Sequence, residues 1–128
     1  MNEEQRYEKG MTVRRAVLSD EHVDRALAHT SEFTEAFQQL ITRYAWGEIW
    51  SREGLPRHTR SLLTIAMLIA VNRSEELALH LRAARNNGVS RDEIKEVLLQ
   101  SAIYCGVPAA NSAFHLAEKI FDEQERES

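Results

Sequence analysis

The stretch "SEELALHLRAARNNGVSRDE", residues 74–93, decides the fold class. Leucine and alanine recur at helical spacing from Leu77 to Ala84, and Glu75 and Glu76 suit the positive end of a helix dipole. Asn72 or Ser74 is expected to cap this helix. Asn87-Gly88 stops it, because glycine accepts the left-handed conformation that follows a last helical turn. Directly afterwards Ser90 and Glu93 stand at capping-box spacing and start another helix. A helix, a tight stop and a fresh helix start leave no length for a strand.

The apolar spacing stays helical on both sides. Downstream, Ile94, Val97, Leu98 and Ala102 form an inward face that ends near Gly106. Pro108 then opens a last helix with Ala110, Ala113, Phe114, Ala117 and Phe121 inward, and "EQERES", residues 123–128, reads as a frayed tail. Upstream, "SREGLPRH", residues 51–58, makes a loop into the apolar run "LLTIAMLIAV", residues 62–71. That run is shorter than the roughly 20 residues a bilayer span takes, so it belongs in a core or at a subunit contact. Phe33, Phe37, Leu40, Ile41 and Tyr44 repeat as one buried face, and Asp20 is placed to cap a helix over Val23 and Leu27. With no alternating segment, the expected fold is all-α, one domain over residues 1–128.

Composition narrows the partners. A chain of 128 residues with 43% hydrophobic and 28% charged residues is an ordinary globular protein. A net charge of -4 without a basic stripe argues against nucleic acid, though a few local arginines still bind small anions. The single cysteine, Cys105, excludes an intrachain disulfide and a thiol-rich metal site. Together with the absence of a secretory leader, it points to a reducing, cytoplasmic setting and no membrane.

Two polar stripes carry candidate chemistry. Arg73, Glu76, His80 and Ala84 fall along one face at ~100° per residue, and a carboxylate one turn from an imidazole suits proton transfer. The same spacing also describes a half-buried histidine paired with a capping glutamate. Asn111, His115 and Glu118 form the second stripe, which equally fits a hydrogen-bonded or solvent-facing row. His80 and His115 lie on separate helices, no His-x-x-x-His occurs, and no metal is expected. Arg14-Arg15, Arg43, Arg60 and Arg85 are a reserve of cations from which two anion clamps can be drawn. Trp46 and Trp50, one turn apart, are expected to pack in a core or a subunit contact.

The words "ITRYAWGEIWSR" (41–52), "HLRAARNNGVS" (80–90) and "EIKEVLLQSAIYCGVPAANSAFHLA" (93–117) resemble the gamma-carboxymuconolactone decarboxylases of protocatechuate (beta-ketoadipate pathway) catabolism. The likeness extends from about Arg6 to Ala117, nearly the whole chain. The wider superfamily includes the alkylhydroperoxidase D-type proteins, whose C-x-x-C-x-x-x-H motif aligns with Arg73, Glu76 and His80. Without the dithiol there is no disulfide relay to reduce a peroxide, which counts against a peroxidase-like reductase. A non-catalytic helical binding module is the alternative from another class.

The resemblance implies a cofactor-independent conversion of 4-carboxymuconolactone, a dianionic lactone, to 3-oxoadipate enol-lactone and carbon dioxide. The leaving carboxylate is vinylogous to the lactone carbonyl, so the ring itself receives the electron pair. The enzyme then anchors the spared acetate carboxylate, stabilises charge on the lactone oxygen and delivers one proton. The matched position and the stripe together make His80 the expected proton donor or oxyanion partner, with Glu76 orienting it or sharing the proton. Arg15 and Arg43 are the expected carboxylate clamps, Arg73 is a substrate-binding residue at the entrance of the stripe, and Asn111 and His115 are expected in the pocket lining. The resemblance also implies a homo-oligomer, a hexamer built from trimers or dimers.

Overall fold

The structure, a computed structural model, describes residues 1–127. Among these residues every regular element is helical, and none is a strand. The chain groups into two compact units, one comprising Met1–Arg57 and the other starting at His58.

In the first unit, α1 (Glu3–Leu18) is started by a capping box in which Asn2 and Gln5 satisfy each other's backbone N–H groups. Its buried residues, Gly10, Val13, Arg14, Val17 and Leu18, follow an i, i+3, i+4, i+7, i+8 stripe with an arginine in the middle. Ser19, at φ 94°, ends α1, and its side chain accepts from the His22 N–H at the start of α2 (Asp20–Ala28). The cap is therefore Ser19 rather than Asp20: a hydroxyl one residue earlier already reaches the orphan N–H, leaving Asp20 to face the dipole.

Helix α3 (Glu35–Ile41) runs on into a π-helix, Thr42–Ile49, closed by the bond from the Trp50 N–H to the Ala45 carbonyl at 2.9 Å. Such wider turns are rare and cluster at functional sites. Two glycines bring α1 against this segment. A Cβ on Gly10 would stand 1.8 Å from the Thr42 carbonyl oxygen, and one on Gly47 would stand 2.5 Å from the Arg6 carbonyl oxygen. Trp46 is buried, and its ring lies 5.2 Å from that of Trp50.

Most of the apolar row expected to be buried on and beside α3 is exposed in this chain, Ile41 alone of that row being half-buried. Phe33 is 95% exposed, and Phe37, Leu40 and Tyr44 are also exposed. Periodicity detects an apolar row but not what covers it, and among the described residues nothing covers this one.

In the second unit, α4 (Arg57–Ala70) buries Ser61, Ile65 and Ile69 and leaves Leu63 and Met67 exposed, so the apolar run is covered on one face. Asn72, at φ 60°, turns the chain into α5 (Ser74–Ala83). The N-cap there is Arg73, with no side-chain cap bond. Neither Asn72 nor Ser74 serves as the cap, because one makes the left-handed turn and the other is already helical. A 3-10 turn, Ala84–Asn87, tightens the end of α5, and Gly88 at φ 76° stops it as expected. The Ser90–Glu93 capping box opens α6 (Arg91–Tyr104), again as expected. Helix α7 (Val107–Glu127) stays helical through residues 123–127, so that part of the expected tail is not frayed, and Ser128 lies outside the described residues. Arg82, Arg85 and Arg91 hold its last turns through Glu123, Glu127 and Glu125.

Ile65, Leu77, Leu81, Leu98, Ala113 and Ile120 belong to one core cluster. Each large aliphatic side chain fully buried there contributes about 1.5–3 kcal/mol.

Candidate active site

Helix α5 carries the first polar stripe into the second unit's core. His80 is 9% exposed, while Leu77, Leu81, Ala83 and Ala84 around it on the helix are also buried. Arg73 and Glu76, earlier on the same helix, are both exposed. The stripe thus runs from solvent at its N-terminal end to a buried imidazole. Among the described residues Glu76 makes no hydrogen bond or ion pair, so it does not clamp the ring in this conformation.

Asn111 and His115 sit on the exposed side of α7, opposite the buried Ala110, Ala113 and Ala117. Cys105 caps the end of α6, is half-buried and is a free thiol. His58 and Glu93 make a pair that sequence reading missed: Nε2 lies 2.7 Å from the carboxylate, and Glu93 also accepts from the Ser90 N–H. These bonds, the Ser90 backbone first, hold the Glu93 carboxyl below its usual range. Among the described residues no group of three His, Cys, Asp or Glu side chains is placed to hold a metal ion.

The cations of the first unit differ sharply from one another. Arg15 donates to Asp20 and Asp24, each at 3.0 Å, and these carboxylates raise its pKa. Arg43 donates to the Glu3 carbonyl at 3.2 Å and the Gln39 side chain at 2.9 Å, and stacks over Tyr7. Both are engaged and partly exposed.

Arg14 is the opposite case. It is 4% exposed, and its Nη atoms donate to Thr42 Oγ1 at 3.2 Å and Gln38 Oε1 at 3.1 Å, both neutral groups. Its buried Nε has no partner. Burial lowers its pKa, where the carboxylates beside Arg6 and Arg15 raise theirs. The signal for choosing Arg14 over Arg15 was present in the sequence: Gly10, Val13, Arg14 and Val17 share one helical stripe, and Arg15 lies off it.

The sequence profile of the Carboxymuconolactone decarboxylase family matches residues 35–119. A 4-carboxymuconolactone decarboxylase of Acinetobacter baylyi is 54% identical over 123 residues, covering 96% of this chain and 92% of that protein. The nitrosuccinic acid decarboxylase npaB of Metarhizium robertsii is 43% identical over 117 residues, covering 91% of this chain and 82% of that protein. A 4-carboxymuconolactone decarboxylase sequence from Pseudomonas putida is 56% identical over 48 residues, 38% of this chain and all of that sequence.

Proposed function

This chain belongs to the Carboxymuconolactone decarboxylase family, and on that premise we propose that it removes carbon dioxide from 4-carboxymuconolactone to give 3-oxoadipate enol-lactone. The observation that carries the reading is the 54% identity to the Acinetobacter baylyi decarboxylase over nearly the full length of both chains. The all-α architecture is that of the alkylhydroperoxidase D-like superfamily, and the positions of its redox cysteines hold Arg73 and Glu76 here.

The chemistry follows from the substrate. The bond from the ring carbon to the departing carboxylate breaks, and its electron pair enters the ring as a dienolate. A proton is then added at the carbon next to the lactone carbonyl. His80 is the proton donor, and its burial keeps water from competing for that step. Glu76, exposed one turn away, shares the proton by rotating toward the ring and returns it from solvent. Arg15 and Arg43 bind the carboxylates, Arg73 contacts substrate at the entrance of the stripe, and Asn111 and His115 line the pocket. A substrate carboxylate reaching Arg15 displaces Asp20 or Asp24, whereas Arg73 makes no ion pair among the described residues.

The chain works as one decarboxylase domain in a homo-oligomer, a hexamer, in the cytoplasm. The exposed apolar row of Phe33, Phe37, Leu40 and Tyr44 supports the assembly, because one chain leaves it uncovered. Among the described residues no helix is long and apolar enough to cross a membrane. The test is direct. Purified protein mixed with 4-carboxymuconolactone, with no cofactor added, is expected to release carbon dioxide in step with substrate loss. A folded protein that releases none overturns the proposal.

A further inference from the structure

We propose that Arg14 is the anchor for the carboxylate that the substrate keeps. The inference rests on the decarboxylase reading above and adds a residue to it.

A guanidinium has five N–H donors, and among the described residues those of Arg14 meet only the neutral oxygens Thr42 Oγ1 and Gln38 Oε1. Its Nε is buried with no acceptor. A charge taken out of water without a counter-ion is strongly unfavourable, and an incoming carboxylate supplies both the opposite charge and the acceptors. The surroundings hold the guanidinium still. Gly10 and Gly47 bring α1 against the π-helix, and Thr42, on the first turn of that helix, binds one Nη while Gln38, one turn earlier, binds the other. Thr42 is itself fixed by donating to the Gln38 carbonyl at 2.7 Å. A pre-set fork of this kind loses little freedom when a carboxylate arrives.

The chemistry says which of the substrate's carboxylates Arg14 takes. The departing group becomes neutral carbon dioxide, so a fixed buried cation beside it would favour the ground state and oppose the reaction. The spared carboxylate keeps its charge throughout. Binding it holds ground and transition states alike, which affects KM rather than kcat. Nitrosuccinic acid, the compound in the name of the Metarhizium relative, also has two carboxyl groups, so one is spared when the other leaves.

The test compares wild type, Arg14→Gln, Arg14→Lys and Thr42→Val in steady-state assays with 4-carboxymuconolactone, and measures succinate binding to each by calorimetry. Loss of a charged, forked contact predicts a KM raised about 30-fold or more in Arg14→Gln, with kcat held within a few-fold. Arg14→Lys recovers part of the loss, as a point charge without a fork. Succinate affinity falls in parallel. If Arg14→Gln does not fold, Thr42→Val decides: a KM raised several-fold at constant kcat supports the anchor, and an unchanged KM overturns it. A folded Arg14→Gln with wild-type KM and succinate affinity overturns it, as does one whose kcat collapses at constant KM. Wild type that binds succinate through Arg14 but releases no carbon dioxide refutes the decarboxylase reading alone. Wild type that neither turns over substrate nor binds succinate refutes both.

Discussion

Arg14 of α1 donates across the first unit to Thr42, 3.2 Å away on the π-helix, and the approach that permits this bond is set by Gly10 one turn earlier on α1. A Cβ at position 10 would stand 1.8 Å from the Thr42 carbonyl oxygen, a backbone atom that cannot swing aside. Gly10→Ala therefore forces α1 and the π-helix apart. The expected cost is about 3 kcal/mol or more, read as a lower urea midpoint, because overpacking against backbone exceeds the usual side-chain case. A midpoint within error of wild type would mean that the contact is not as close as described.

The second unit's core predicts a different loss. Leu98 is 1% exposed within the cluster that also holds Ile65, Leu81 and Ile120. Leu98→Ala is expected to cost about 2–5 kcal/mol in equilibrium unfolding, from lost transfer energy plus the cavity left behind. A loss below 1 kcal/mol would show that the surrounding helices collapse into the gap.

Acid sensitivity is expected at the start of α6. The Ser90 N–H, with His58, holds the Glu93 pKa below the ordinary glutamate value of 4.5. A depressed folded pKa contributes stability that is present above the unfolded value and is lost as pH falls through the folded one. Glu93→Gln should accordingly lower Tm at neutral pH, and the gap to wild type should close as pH drops below 4.5. A gap that persists unchanged into strong acid would exclude a charge-linked origin.

The apolar row on and before α3 tests the assembly. Phe33, Phe37 and Leu40 are exposed in the single chain. Phe37→Lys, at a side chain 58% exposed in the single chain, is expected to shift sedimentation toward smaller species while far-ultraviolet circular dichroism stays the same. An unchanged sedimentation profile would place the subunit contact elsewhere.

What the sequence made legible follows from where the governing interactions are local. The Ser90–Glu93 box and the Gly88 stop depend on neighbours three or four residues apart, and both are found as read. Asp20 and Ser74 fail as caps because several polar residues compete within one turn, and backbone angles at Ser19 and Asn72 decide between them. The π-helix over Thr42–Ile49 has no spacing signature of its own; it arises where Gly10 and Gly47 bring α1 close. The α3 row shows the limit of periodicity, which reports that a face is apolar and not which chain covers it. In the candidate site, burial of His80 amid Leu77, Leu81 and Ala84 was readable from the α5 pattern. The side of α1 that each arginine occupies was readable from the Gly10, Val13 and Val17 stripe, but the aspartates that engage Arg15 and the neutral partners of Arg14 needed the structure.

The most direct measurement of the central claim is carbon dioxide release from 4-carboxymuconolactone by wild type and His80→Asn at equal concentration, with folding of each checked by circular dichroism. The account predicts cofactor-free turnover by wild type and a loss of ~10²-fold or more in kcat for the folded variant, as removal of a positioned proton donor implies. Turnover by folded His80→Asn close to that of wild type would contradict it.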